Sequence, residues 1–230
     1  MRLIKPIPRA WLPGLFGAAL LYGCASSKPE QGQEPAPATT PLAGMIGRQL
    51  VMLPAQLIAT AGPGGSWDVR PDHTQLLTLL DQEITDAFRK RGVRGNWTFP
   101  QELIAAATRN AGLAGNPLGL SVAGIRRVKA GDTPLPEPLA SEIRTLVSLT
   151  NARYVIMPLE TRIDLNGGQR KGSLHLLLID SRTARVVWVG DIDGPSVRDP
   201  EVVRDTLTPF GFRLLARELA GLFADMVVAQ

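Results

Sequence analysis

Leu174-His175-Leu176-Leu177-Leu178-Ile179-Asp180-Ser181-Arg182-Thr183-Ala184-Arg185-Val186-Val187-Trp188-Val189-Gly190-Asp191-Ile192 reads as two β-type runs about a short polar turn. Turn-forming residues between apolar runs predict an antiparallel hairpin. In the first run Leu174, Leu176 and Leu178 fall on one face, and Leu177 and Ile179 on the other. A strand apolar on both faces must be covered on both, so the fold class expected is α/β: a mixed β-sheet flanked by helices on both faces.

Outward from the hairpin, the upstream chain alternates helix and strand signals. Arg153-Tyr154-Val155-Ile156-Met157 is a β-type run, preceded by a helix marked by Leu139, Ile143, Leu146, Val147 and Thr150. Residues 112–138 are rich in Gly and Pro with few periodic cues and are expected to form a mobile excursion able to hold a site. Before it, Pro100 opens a helix through Leu103, Ile104 and Ala107, and a brief strand is expected within 93–98. Asp72 and Gln75 form a capping box ahead of a helix whose face is Leu76, Leu77, Leu80, Ile84, Ala87 and Phe88, stopped by Gly92. Gln49-Leu50-Val51-Met52-Leu53-Pro54 is a short apolar run that suits a buried strand, with Pro54 at an edge or an end. Downstream, Asp199-Pro200 starts the last helical region, broken near Thr208-Pro209, with an apolar stripe of Phe210, Leu214, Leu215, Leu219, Leu222, Phe223 and Met226.

The amino terminus has a different character. Arg2, Lys5 and Arg9 precede an uncharged apolar stretch from Ala10 to Tyr22, the layout of a secretory signal and too short to span a membrane comfortably. Leu21-Tyr22-Gly23-Cys24 then resembles the lipobox of bacterial lipoproteins, which implies lipidation of Cys24 after removal of residues 1–23. Cys24 is the only cysteine of the 230 residues, so no internal disulfide competes for it. Two or three acyl chains on Cys24 would anchor the protein stably to the membrane. Ala25, where an Asp tends to retain lipoproteins in the inner membrane of enteric bacteria, leans the reading toward the outer membrane. Residues 24–44 read as the lipidated Cys and a flexible tether, poor in large apolar side chains, and 45–230 as one domain. About twenty such residues reach at most roughly 70 Å.

The net charge of +4 falls to about +1 once Arg2, Lys5 and Arg9 are removed with the signal, so charge offers no argument for nucleic acid. Ala61-Gly62-Pro63-Gly64-Gly65-Ser66 lacks the Lys-Ser/Thr and the glycine spacing of phosphate-binding loops. His73 and His175 are the only histidines and lack metal-ligand spacing. Asp180, Asp191 and Asp193 crowd the hairpin but are accounted for by turn chemistry, and Arg89-Lys90-Arg91 by the charge of a helix end. No catalytic, cofactor or metal residue is nominated; the one site residue is Cys24.

The order of segments, with Leu177-Leu178-Ile179-Asp180-Ser181-Arg182-Thr183-Ala184-Arg185-Val186-Val187-Trp188 as its centre, resembles a broad envelope family. It includes the curli-secretion lipoprotein CsgG, the amino-terminal domain of TolB and the lipoprotein activators of penicillin-binding proteins (LpoB). The resemblance implies an α/β sandwich acting through protein partners, with no shared catalytic residues. Only Asn166 to Lys171 separates the strands where the curli channel inserts its membrane hairpins, which disfavours such a pore. The expectation is a membrane-anchored, non-catalytic accessory, assembly or regulatory lipoprotein with an envelope protein partner, self-association left open. The alternative is an enzyme or small-ligand binder with its site in 112–138.

Overall fold

The computed structural model describes residues 42–61, 67–69, 73–93, 96–128 and 133–228. In chain order the elements are β1 (Leu50–Met52), β2 (Leu57–Ala61), β3 (Trp67–Val69), α1 (Thr74–Lys90), β4 (Trp97–Thr98), α2 (Pro100–Arg109), β5 (Thr133–Pro134), α3 (Leu139–Ser148), β6 (Tyr154–Asp164), β7 (Lys171–Asp180), β8 (Arg185–Asp193), α4 (Pro200–Asp205) and α5 (Pro209–Val228). Short 3-10 turns lie at Ala43–Met45, Val122–Ile125 and Asn166–Gly168. Cys24, Asp72 and residues 62–66 lie outside the described residues.

The eight strands form one mixed sheet in the order β3-β2-β6-β7-β8-β5, with β1 joining β6 to β4. β6, β7 and β8 are antiparallel neighbours, while β1 and β2 both run parallel to β6. The expected hairpin is present, and its turn chemistry is visible. Asp180 Oδ1 accepts the N–H of Arg182 at 3.0 Å, and Ala184 takes a positive φ of 52° to re-enter β8. β3 pairs with β2, so the glycine-rich stretch after Ala61 joins two strands and does not lead into a helix.

Two apolar cores confirm cover on both faces. Leu50, Met52, Ile156, Leu174, Leu176 and Leu178 pack under α1 and α5. Val51, Val155, Met157, Leu177, Ile179 and Val186 pack under α2, α3, residues 114–128 and Leu135. Phe88 of α1 meets Phe223 of α5 edge-on at 4.9 Å between ring centroids and Trp97 at 5.1 Å, an arrangement aromatic quadrupoles favour.

Three expectations are corrected. Residues 112–138 are not a loose excursion where described: Ala114, Leu120, Val122, Ile125 and Leu135 are buried in the second core. Gln56 fastens this stretch to the sheet. Its side-chain amide donates to Pro117 O at 3.1 Å, and its Oε1 accepts the N–H of Leu120 at 3.2 Å. The second correction concerns α1, which starts at Thr74 with His73 as its cap residue and no side-chain cap, so Gln75 is already helical. The third concerns α5, whose buried face is Phe212, Leu215, Ala216, Leu219, Ala220, Phe223, Ala224 and Val227. Phe210, Leu214 and Leu222 of the expected stripe are exposed. The small residues decide this rotation. A Cβ on Gly211 would run into the Asp205 carbonyl oxygen, and one on Gly172 into Leu215 Cδ1, so α5 lies close against α4 and β7 along that side.

Leu42, within the stretch read as tether, is fully buried in the first core. The 3-10 turn after it is held by Trp97, whose Nε1 donates to Met45 O at 3.3 Å.

Candidate functional site

The most developed polar site is built by a β-bulge. β6 pairs Pro158 with Leu176 but Glu160 with His175, so Leu159 has no opposite residue and the alternation of faces slips by one. Before the slip Val155 and Met157 face the second core; after it, Thr161 lies on the opposite side with Ile163, which packs in the first core. Glu160 and Arg162 are thereby turned to the second face, beyond the cover of α2 and α3. Pro158 has no N–H to give, which suits it to such an interruption.

There Glu160 is 2% exposed. Arg126, from the end of the Val122–Ile125 turn, meets it with a fork: Nε to Oε2 at 2.8 Å and Nη2 to Oε1 at 3.0 Å. Arg162 adds Nε to Oε1 at 3.3 Å and reaches Asp191 from Nη1 at 3.7 Å. Asp191 Oδ1 lies 2.7 Å from His175 Nδ1. The row follows the register, Glu160 opposite His175 and His175 opposite Asp191. Burial works to raise the Glu160 pKa, but the hydrogen bonds and charges of Arg126 and Arg162 prevail and hold it below the ordinary glutamate value. Glu160 is thus an ionised, buried anchor for two guanidinium groups. With Arg127 these residues line a cleft of about 490 Å³.

A second surface lies across the sheet. Phe210, Leu214 and Leu222 lie on one i, i+4 row of the outer face of α5, with Phe210 75% exposed. Among the described residues no helix is long and apolar enough to cross a membrane, and no group of three or more His, Cys, Asp or Glu is placed to hold a metal.

The residues singled out in the sequence are largely dispersed. His73 caps α1, while His175 and Asp191 are brought together. Asp180 sits at the turn end of the hairpin, paired to Arg153 at 2.7 Å, and Asp193 pairs Lys171 at 3.4 Å. Arg91 is more than a solvated helix end. Its Nε reaches Asp225 at 2.6 Å and its Nη2 the Gly221 carbonyl at 3.1 Å, strapping α1 to α5. Sequence reasoning missed Arg126, Glu160 and Arg162. The available signal was a charged pair two apart, Glu160 and Arg162, closing an apolar run just after Pro158. Arg126 and Arg127 do belong to the region where a small-ligand site was considered.

No protein-family model matches the chain, and no curated protein matches it. Among solved structures it is similar to the LpoB C-terminal domain from Salmonella enterica at 14% identity, covering 69% of this chain and 93% of that one, with a TM-score of 0.33. Against the E. coli LpoB structure the values are 16% identity, 84% and 86% coverage and a TM-score of 0.36. Lipoprotein GNA1162 from Neisseria meningitidis is similar at 9% identity, with 73% and 98% coverage and a TM-score of 0.35.

Proposed function

We propose that this chain is a bacterial envelope lipoprotein, anchored to the outer membrane through lipid on Cys24, whose domain acts in the periplasm as a non-catalytic accessory, assembly or regulatory factor by binding a protein partner. The anchor is supported by Leu21-Tyr22-Gly23-Cys24 after a basic segment and an apolar one. The observation that carries partner binding is the exposed ridge of α5. Phe210 at 75% exposure, followed one and three turns on by Leu214 and Leu222, puts aromatic and aliphatic surface in water where the same helix buries its other face completely. Exposed apolar surface of this kind marks interaction sites, and aromatic side chains such as Phe210 are enriched at protein interfaces.

A photo-crosslinking residue placed at Phe210 or Leu214 in cells tests this, with Arg109 on the other side of the sheet as control. One discrete adduct of fixed mass from the ridge alone, lost in Cys24→Ser, is the result expected. Adducts of the same pattern from Arg109, or none from the ridge, would remove the reading.

A further inference from the structure

The cleft over Glu160 carries more positive charge than its architecture requires. A buried carboxylate needs one guanidinium fork for neutralisation and hydrogen bonding, and Arg126 supplies it. Arg162 and Arg127 come in addition, and Arg127 has no ion-pair partner among the described residues. The lining therefore holds three guanidinium groups against one carboxylate. Asp191, outside the lining, offsets one more charge, through a contact to Arg162 of only 3.7 Å and while also engaged with His175.

Orientation matters as much as charge. Glu160 fixes Arg126 through Nε and Nη2, which leaves Nη1 without a partner among the described residues, and fixes Arg162 through Nε, which leaves Nη2 likewise. Two guanidinium planes are held by a buried group, and both residues line the same concavity as Arg127. Donors fixed in advance bind an anion without paying to order long side chains, and a concave wall strengthens their field.

We infer that this cleft is a binding site for an oxyanion, the phosphate or carboxylate group of a small molecule or chain end, held by Arg126, Arg127 and Arg162 over Glu160. Both groups present oxygen atoms at the spacing a guanidinium fork matches, and a cleft of about 490 Å³ admits one such group with a few attached atoms. The site lies on the sheet face opposite the α5 ridge, so it stands independently of the partner-binding reading.

The test is isothermal titration of the full chain in detergent at low salt. Three probes are used: inorganic phosphate, an N-acetylated dipeptide with a free carboxylate, and the same dipeptide as its amide. Saturable binding of phosphate or of the free-carboxylate peptide, with none by the amide, is the result expected. The two charged probes tell which source of the oxyanion the cleft prefers. Arg127 makes no hydrogen bond or ion pair among the described residues, so Arg127→Ala should leave thermal melting unchanged and weaken binding about tenfold or more, with partial recovery in Arg127→Lys. Absence of saturation by both charged probes up to about 10 mM would overturn the inference. So would equal binding of the amide, or binding indifferent to Arg127→Ala.

Discussion

The carboxylate of Asp81 on α1 accepts the backbone N–H of Ala55 at 2.9 Å, at the break between β1 and β2. The two strands follow β6 in parallel, and the break keeps contact with it: Leu53 N–H donates to Ile156 O, and Gln56 N–H to Pro158 O. Pro54 has no N–H, so Ala55 carries the one donor in the break with no strand partner, and a side chain from the covering helix takes it. Asp81 is 1% exposed, and its Oδ2 has no partner.

Burial pushes the Asp81 pKa from 3.8 to about 8, partly offset by the Ala55 bond. Between those values the folded state holds a proton that the unfolded state releases. This contribution to stability is therefore full below the ordinary carboxylate pKa and is lost as pH rises through about 8. Urea titrations of Asp81→Asn should show a flatter decline of stability from about pH 5 to about pH 8 than wild type, because the amide keeps the Ala55 bond without a proton to lose. Parallel curves for the two proteins would contradict this.

Arg153 and Asp180 join the start of β6 to the hairpin turn, and Asp180 also caps that turn. Burial tends to raise the Asp180 pKa, but Arg153 and the turn N–H groups together lower it. Its contribution is present above the unfolded carboxylate pKa and is lost as pH falls through the lowered folded value. Asp180→Ala should cost about 1–3 kcal/mol at neutral pH, measured by denaturant unfolding, and the difference from wild type should shrink in acid.

Gln56 holds residues 117 and 120 by side-chain hydrogen bonds. Gln56→Ala should raise amide hydrogen exchange at Leu120 and its neighbours well above that of β6 and β7, and lower stability by about 1–3 kcal/mol through the buried groups left unpaired. Unchanged exchange in that stretch would show that its apolar contacts alone suffice.

Leu42 sets a boundary for truncation. Deleting residues 25–41 should leave the melting temperature almost unchanged, whereas deleting 25–44 removes a fully buried leucine and should cost about 2–5 kcal/mol. Equal melting of the two truncations would contradict the buried placement.

Cys24→Ser should abolish incorporation of a fatty-acid analogue and leave the signal uncleaved, read by labelling and intact mass. Equal label in both proteins would remove the anchor from the proposal.

The hairpin of β7 and β8, the apolar face of α1 and the opening of α2 at Pro100 were legible from the chain, because each is a local pattern of alternation, helical spacing or turn chemistry. Cover on both faces followed from Leu176 and Leu177 pointing apart. What tertiary structure decided has a non-local cause each time. Along α5 the charged Arg213, Arg217, Glu218 and Asp225 share the side of Phe210 and Leu214, a signal that the large apolar residues among them masked; the close approach at Gly211 and Gly172 settles that Phe212 turns inward and Phe210 outward. Residues 112–128 lack a repeating pattern, and their burial rests on single contacts such as Gln56 to Leu120, sixty-four residues apart. The cleft depends on a slip of one residue between two paired strands. A strand's own sequence shows which residues alternate, but only its partner's register says which face Glu160 takes.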